Sequence, residues 1–159
     1  MKTVDDYNFN DDIKVGEKGE KIIADFLITK GYKFLSDNKD NKFDLRMLEP
    51  DGRETTIEIK TDVYCTPERD TGNMFIEKHS RGKDSGIAVS QAEWFVMYFP
   101  YLNESYFIKT ETLRNLVENT YFYVGNGGDK GSDTKGYLVN KEKYGKKFNK
   151  IQIDYKWVK

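Results

Sequence analysis

Residues 42–63 read Lys42-Phe43-Asp44-Leu45-Arg46-Met47-Leu48, then Glu49-Pro50-Asp51-Gly52, then Arg53-Glu54-Thr55-Thr56-Ile57-Glu58-Ile59-Lys60-Thr61-Asp62-Val63. The Glu-Pro-Asp-Gly segment is turn chemistry: proline presets one backbone angle and glycine supplies the left-handed position. Strand-like runs on either side make this a β-hairpin with antiparallel strands. Along the second strand side chains alternate, so Ile57 and Ile59 face one way and Glu58, Lys60 and Asp62 the other. An apolar face is what a core strand needs. A second face carrying both signs of charge, opposite a strand that opens on Asp44, points to chemistry. Two carboxylates and an amine on adjacent strands can hold a divalent cation beside an activated water.

Working outward, residues 13–30 have helical periodicity, with Asp11 or Asp12 as the expected cap and Lys30-Gly31 as the stop. Further strands are expected at 32–35, 73–77, 105–109, 121–124, 137–140 and 150–158, and helices at 90–98 and 110–118. Residues 78–86 and 125–136 read as loops, the second a flexible connection. The glycines at 125, 127, 128 and 131 match neither a dinucleotide fingerprint nor a phosphate-binding loop. Trp94, Phe95, Tyr98 and Phe99 read as core. This order predicts an α/β domain around a central mixed sheet. At 159 residues with no internal repeat, one domain spanning 1–159 is expected, with a core at 12–98 and a helix and β-rich extension at 99–159.

Composition excludes several functions. One cysteine, Cys65, rules out an internal disulfide, and one histidine, His79, rules out a Cys/His zinc cluster. No apolar run approaches a membrane span, and the N-terminus lacks a signal's hydrophobic stretch. A cytoplasmic, non-membrane protein is therefore the expectation. Residues 135–159 hold eight lysines against two acids, although the whole chain carries a net charge of −1. Such a segment can track a phosphate backbone or simply be a solvated surface.

The tripeptide acid-x-Lys proves nothing alone, because it starts at Asp12, Asp37, Asp40, Glu58, Asp133 and Asp154. Only the copies at Glu58 and Asp154 fall in strands, and only Glu58 has an acid-bearing strand at hairpin distance. A second signal comes from the first helix. On a helical wheel Ile13, Ile23, Ala24 and Leu27 all lie within about 60° of Glu20. A glutamate inside an apolar arc must be paired, hydrogen-bonded or close to a metal.

These residues resemble the PD-(D/E)XK nuclease superfamily, with its restriction-endonuclease-like αβββαβ core and central mixed sheet flanked by helices. The resemblance runs over residues 12–98 and is strongest over 16–62; Phe43 stands where the family's name motif has proline. The Gly16-x-x-Gly19-Glu20 opening is most similar to Holliday-junction resolvases and related phage or mobile-element nucleases. The resemblance implies that Glu20, Asp44, Glu58 and Lys60 are catalytic. It implies Mg²⁺, with Mn²⁺ able to substitute, on Asp44, Glu58 and the Ile59 carbonyl, with Glu20 reaching it through water. Lys60 would orient the attacking water. DNA, with branched DNA among the candidates, is the implied substrate, and two symmetric cuts would need a homodimer. Ser80, Arg81, Lys83 and Ser85 are candidate nucleic-acid contacts, Glu77 a further acidic ligand, and Gln91 a polar residue at the start of the next helix. The alternatives are a non-catalytic nucleic-acid- or protein-binding module on the same fold, and a nuclease that acts on RNA.

Overall fold

The computed structural model describes residues 9–37, 43–128 and 131–157, with side chains described from residue 14 onward. Helix α1 (Phe9–Thr29) leads into strand β1 (Lys33–Asp37). The helix is already under way at Phe9, so Asp11 and Asp12 lie within it and do not cap it; their side chains fall outside the described residues. Its stop is as read. Gly31 adopts φ 97°, the Gly31 N–H donates to the Ile28 carbonyl at 3.1 Å, and the Tyr32 N–H donates to the Leu27 carbonyl at 3.1 Å. That is a Schellman closure, and it needs glycine in the left-handed region.

The opening stretch forms the expected hairpin of β2 (Leu45–Leu48) and β3 (Glu54–Thr61), paired antiparallel. The Gly52 N–H closes the turn on the Glu49 carbonyl at 2.8 Å, and the Asp51 carboxylate accepts from the Arg53 N–H at 3.0 Å. Next come β4 (Asn73–Ser80), β5 (Lys83–Asp84), β6 (Trp94–Phe99), β7 (Glu104–Lys109), α2 (Thr110–Asn119), β8 (Val124–Gly127), β9 (Thr134–Asn140), a short α3 (Lys141–Tyr144) and β10 (Asn149–Gln152). A six-stranded sheet has the order β1-β2-β3-β6-β7-β10, and a four-stranded sheet the order β5-β4-β9-β8. The β3–β6 pairing is parallel and its neighbours are antiparallel, so the central sheet is mixed, as expected.

One element differs in kind. Residues 90–98, read as a helix, are a loop followed by β6 at the centre of the sheet. Phe95, Met97 and Phe99 bury into the core on one face, while Val96 and Tyr98 bury on the other. A strand covered on both faces is a continuous apolar run, which periodicity cannot tell from a buried helix. The crossover from β3 to parallel β6 is consequently made by residues 62–93, which carry β4 and β5. Residues beyond 98 supply β7 and β10 to the same central sheet.

Strands occupy parts of both expected loops. Arg81 (φ 54°) and Gly82 (φ 77°) form a two-residue turn between β4 and β5, with both centres at positive φ as type I′ hairpins require. Within 125–136, β8 pairs antiparallel with β9. The Phe75 ring lies across Gly127 and Gly136, where a Cβ on either would come within 2.7 Å of it. The final strand ends at Gln152, and Ile153 and Trp157 turn onto the α1 side of the sheet. The other side is covered jointly by α2 and the second sheet, through Leu113, Val117, Met74, Ile76 and Val139. Among the described residues, no helix is long and apolar enough to cross a membrane.

Candidate active site

Strand β3 sets the geometry. Ile57 and Ile59 bury under α1, which leaves Glu58 and Lys60 on the opposite face, beside Phe95 and Met97 of β6. The Lys60 Nζ lies 3.2 Å from Glu58 Oε1; the glutamate side chain is 12% exposed and the lysine 38%. The amine therefore sits at the rim of a largely buried carboxylate. Burial works against its charge, but Glu58, Glu77 and Asp44 outweigh that and lift its pKa above the ordinary lysine value. Lys60 is thus a cation at neutral pH, suited to stabilising negative charge rather than to removing protons.

Asp44 sits just before β2. Its N–H donates to the Ile57 carbonyl at 3.0 Å, and its Oδ2 accepts from the Ile59 N–H at 2.7 Å. Strand β3 runs on past the first residue of β2, and the Asp44 carboxylate takes the place a strand carbonyl would have had. Burial and the neighbouring Glu58 push its pKa up from 3.8 to about 6, against the Ile59 N–H and Lys60, which pull it down.

Glu20 comes from α1, on the face opposite Glu58. Ile23, Ala24 and Leu27 around it are buried, as the wheel predicts, and Glu20 itself is half-buried. Burial first, then the charges of Asp44, Glu58, Glu17 and Asp37, raise its pKa from 4.5 to about 7. Asp44 and Glu58 thus lie within electrostatic range of Glu20, and Lys60 pairs with Glu58. No cage of three or more His, Cys, Asp or Glu side chains is preassembled for a metal among the described residues. The donor set still suits a hard cation that keeps most of its water, because such ions take one or two carboxylates. Lys60 and the Ile59 N–H engage one oxygen of Glu58 and one of Asp44, which leaves Oε2 and Oδ1 for a cation.

The remaining candidates are dispersed. Ser80, Arg81, Lys83 and Ser85 lie on the β4–β5 hairpin. The Ser80 hydroxyl pairs with Thr134 at 2.7 Å, and the Ser85 hydroxyl is buried without a partner among the described residues. Arg81 and Lys83 are exposed at the tip. The hairpin is pinned from below, since the Gly82 N–H donates to Asp133 Oδ1 at 3.2 Å and His79 Nε2 lies 3.3 Å from Asp133 Oδ2. Gln91 begins no helix: it is exposed in the loop before β6, at the end of the sheet away from Lys60. Several C-terminal lysines are spoken for: Lys141 lies 2.9 Å from Asp70 and Lys150 3.2 Å from Glu104. The buried Cys65 thiol donates to Asp70 at 3.5 Å, and burial pushes its pKa up to about 11, which makes it a poor nucleophile.

Two participants escaped the sequence reading. Asp37 adds its field to Glu20, although its acid-x-Lys copy falls away as a loop copy. Asp62 accepts from the Tyr64 and Cys65 N–H groups at 2.9 and 3.0 Å and so turns the chain out of β3 directly after the site. An aspartate closing a strand with N–H groups following it was the available signal.

No protein-family model matches the chain, and no curated protein matches it. Among solved structures, it is similar to that of a bacterial homing endonuclease, I-Ssp6803I. Identity is 13%, the TM-score 0.48, and coverage 79% of this chain and 76% of that one.

Proposed function

We propose that the chain is a metal-dependent nuclease of the PD-(D/E)XK type that hydrolyses DNA phosphodiester bonds. The observation that carries this reading is the pairing of Lys60 with Glu58 at 3.2 Å on one face of β3, beside an Asp44 carboxylate that accepts from the Ile59 N–H at 2.7 Å and that burial, then Glu58, displaces upward. Strongly displaced acids beside a retained cation are the mark of a reactive site more often than of a structural one.

Asp44 and Glu58 would hold a Mg²⁺ or Mn²⁺ ion, with the Ile59 carbonyl as a third donor and Glu20 contributing through water. When bound, the ion supplies an acidified water and neutralises charge on the phosphate oxygens. Lys60, kept protonated by its acidic neighbours, directs its N–H donors at the attacking water and at the charge that develops on phosphorus oxygens. The Ile59 N–H fixes the Asp44 carboxylate, so this ligand is oriented before the cation arrives. Arg81 and Lys83, exposed on a pinned hairpin, are suited to phosphate contacts away from the cut. A branched substrate would call for a homodimer. Tyr121 and Tyr123, 88% and 67% exposed on either side of buried Phe122, are the aromatic surface available for one.

The test is incubation with four-way-junction, linear duplex and single-stranded DNA, and with RNA, in Mg²⁺, Mn²⁺ or EDTA, beside Glu58→Ala and Lys60→Ala. Cleavage that needs the cation and is lost in both variants supports the enzyme. Binding without cleavage by the wild type identifies a non-catalytic module instead. Preference for the junction, together with a dimer in solution, would establish the resolvase-like subtype.

A further inference from the structure

Helix α1 contains two glycines within one turn of Glu20, Gly16 and Gly19. Glycine is a poor helix former, so each invites a reason. They differ sharply in surroundings. A Cβ on Gly16 would meet nothing within 4 Å. On Gly19 it would stand 1.9 Å from the Thr61 Oγ1, 2.9 Å from the Thr61 Cβ and 3.1 Å from its Cγ2. Rotating the threonine cannot clear this, because its Cβ does not move with χ1. The Thr61 hydroxyl is buried and has no hydrogen-bond partner among the described residues. What it does instead is fill the space of the missing side chain.

The two residues are chain neighbours of two site residues on different elements: Gly19 precedes Glu20, and Thr61 follows Lys60. We propose that Gly19 is a positioning residue, whose absent side chain sets the approach of α1 to β3 and thereby the place of the Glu20 carboxyl relative to Asp44. This deepens the nuclease reading and rests on it. Alanine at 19 forces the helix and strand apart by on the order of 1 Å, a displacement that can cost about 10²-fold when it falls on a catalytic group. Alanine at 16 displaces nothing.

The experiment compares Gly16→Ala, Gly19→Ala, Thr61→Ala and the Gly19→Ala/Thr61→Ala pair. Thermal midpoints, Mg²⁺-dependent cleavage of duplex and junction DNA, and crystal structures are the readouts. Gly16→Ala should cleave as the wild type does, with an unchanged or higher midpoint. Gly19→Ala should fold and lose about 10²-fold in kcat with little change in KM. Thr61→Ala in the pair leaves only the 2.9 Å contact to relax and should restore at least tenfold. Wild-type turnover in Gly19→Ala, or a loss that the pair does not recover, overturns the proposal. If Gly19→Ala does not fold, the pair decides: a folded, active pair supports the role and an inactive one overturns it. Should the wild type cleave nothing, the nuclease reading fails separately. The crystal structures then decide: unmoved Glu20 in Gly19→Ala refutes the positioning role, and a retreat from Asp44 upholds it.

Discussion

The two ends of β3 carry similar side chains and opposite electrostatics. At the N-terminal end, Glu93 from the loop before β6 accepts from the Thr55 hydroxyl at 2.7 Å and from Lys109. Arg53 lies 3.5 Å away, and the Glu93 N–H donates to Thr56 at 2.9 Å. Glu93 there has two partners of opposite sign, and the Lys109 hydrogen bond holds it below its ordinary pKa. At the C-terminal end, Glu58, Glu77 and Asp44 act on one ammonium, Lys60, while burial and like charge hold Glu20 and Asp44 above their ordinary pKa values. Both ends would look alike in a list of charged residues. The sign of the displacement separates a clamp that locks β6 against β3 from a site left short of positive charge.

That difference can be broken most forcefully by removing its acids. Asp44→Asn and Glu58→Gln should each lower metal-dependent cleavage by on the order of 10³-fold or more. Asp44→Asn should leave the urea midpoint unchanged or raised, because it relieves repulsion with Glu58. A cleavage-competent Asp44→Asn would remove Asp44 from the site.

The clamp should behave in the opposite way. Glu93→Gln should destabilise the protein by about 1–2 kcal/mol, discounted for partial exposure, and leave cleavage per folded molecule intact. Chemical denaturation alongside active-site titration would check it, and a stable but inactive variant would erase the distinction between the ends.

Acid and base should also act on different ends. A carboxyl whose pKa is raised by folding favours the folded state at low pH and loses that contribution as pH climbs through its folded value. For Glu20 that window runs from 4.5 to about 7. Glu93 has the reverse sign, stabilising above its ordinary value and losing this as pH falls. The metal-free protein should therefore be most stable near pH 5. Between there and pH 8 its stability should fall, and Glu20→Gln and Asp44→Asn should each make this limb shallower. A thermal midpoint that rises steadily to pH 8 would contradict the assignment. The smallest effect belongs to the hairpin tip, where Arg81→Ala or Lys83→Ala should reduce the salt dependence of DNA binding by about one unit of log–log slope each.

Much of the site was legible because local rules govern it. The Pro50-Asp51-Gly52 turn and the alternation along β3 put Glu58 and Lys60 on one face, and the wheel turned Glu20 inward. Other features depend on tertiary context. Trp94–Phe99 reads as helix or strand until both its faces are seen to be covered. Arg81-Gly82 is a turn with an unusual first residue at positive φ, so no Asn-Gly or Asp-Gly signal announced it. Asp44 accepts from the Ile59 N–H only because β3 outruns β2 by enough to leave that group free for it. Gly16 and Gly19 are indistinguishable in sequence, and only Thr61 tells them apart.

The C-terminal end of β3 holds carboxyls that burial and like charge keep partly protonated until a cation binds. Calorimetric titration of Mn²⁺ at pH 6.5, in buffers of different ionisation enthalpy, measures the protons released on binding. Net release of about one proton is expected, reduced in Glu20→Gln and, with affinity, in Asp44→Asn. Binding without proton release, or release that both variants retain, would contradict it.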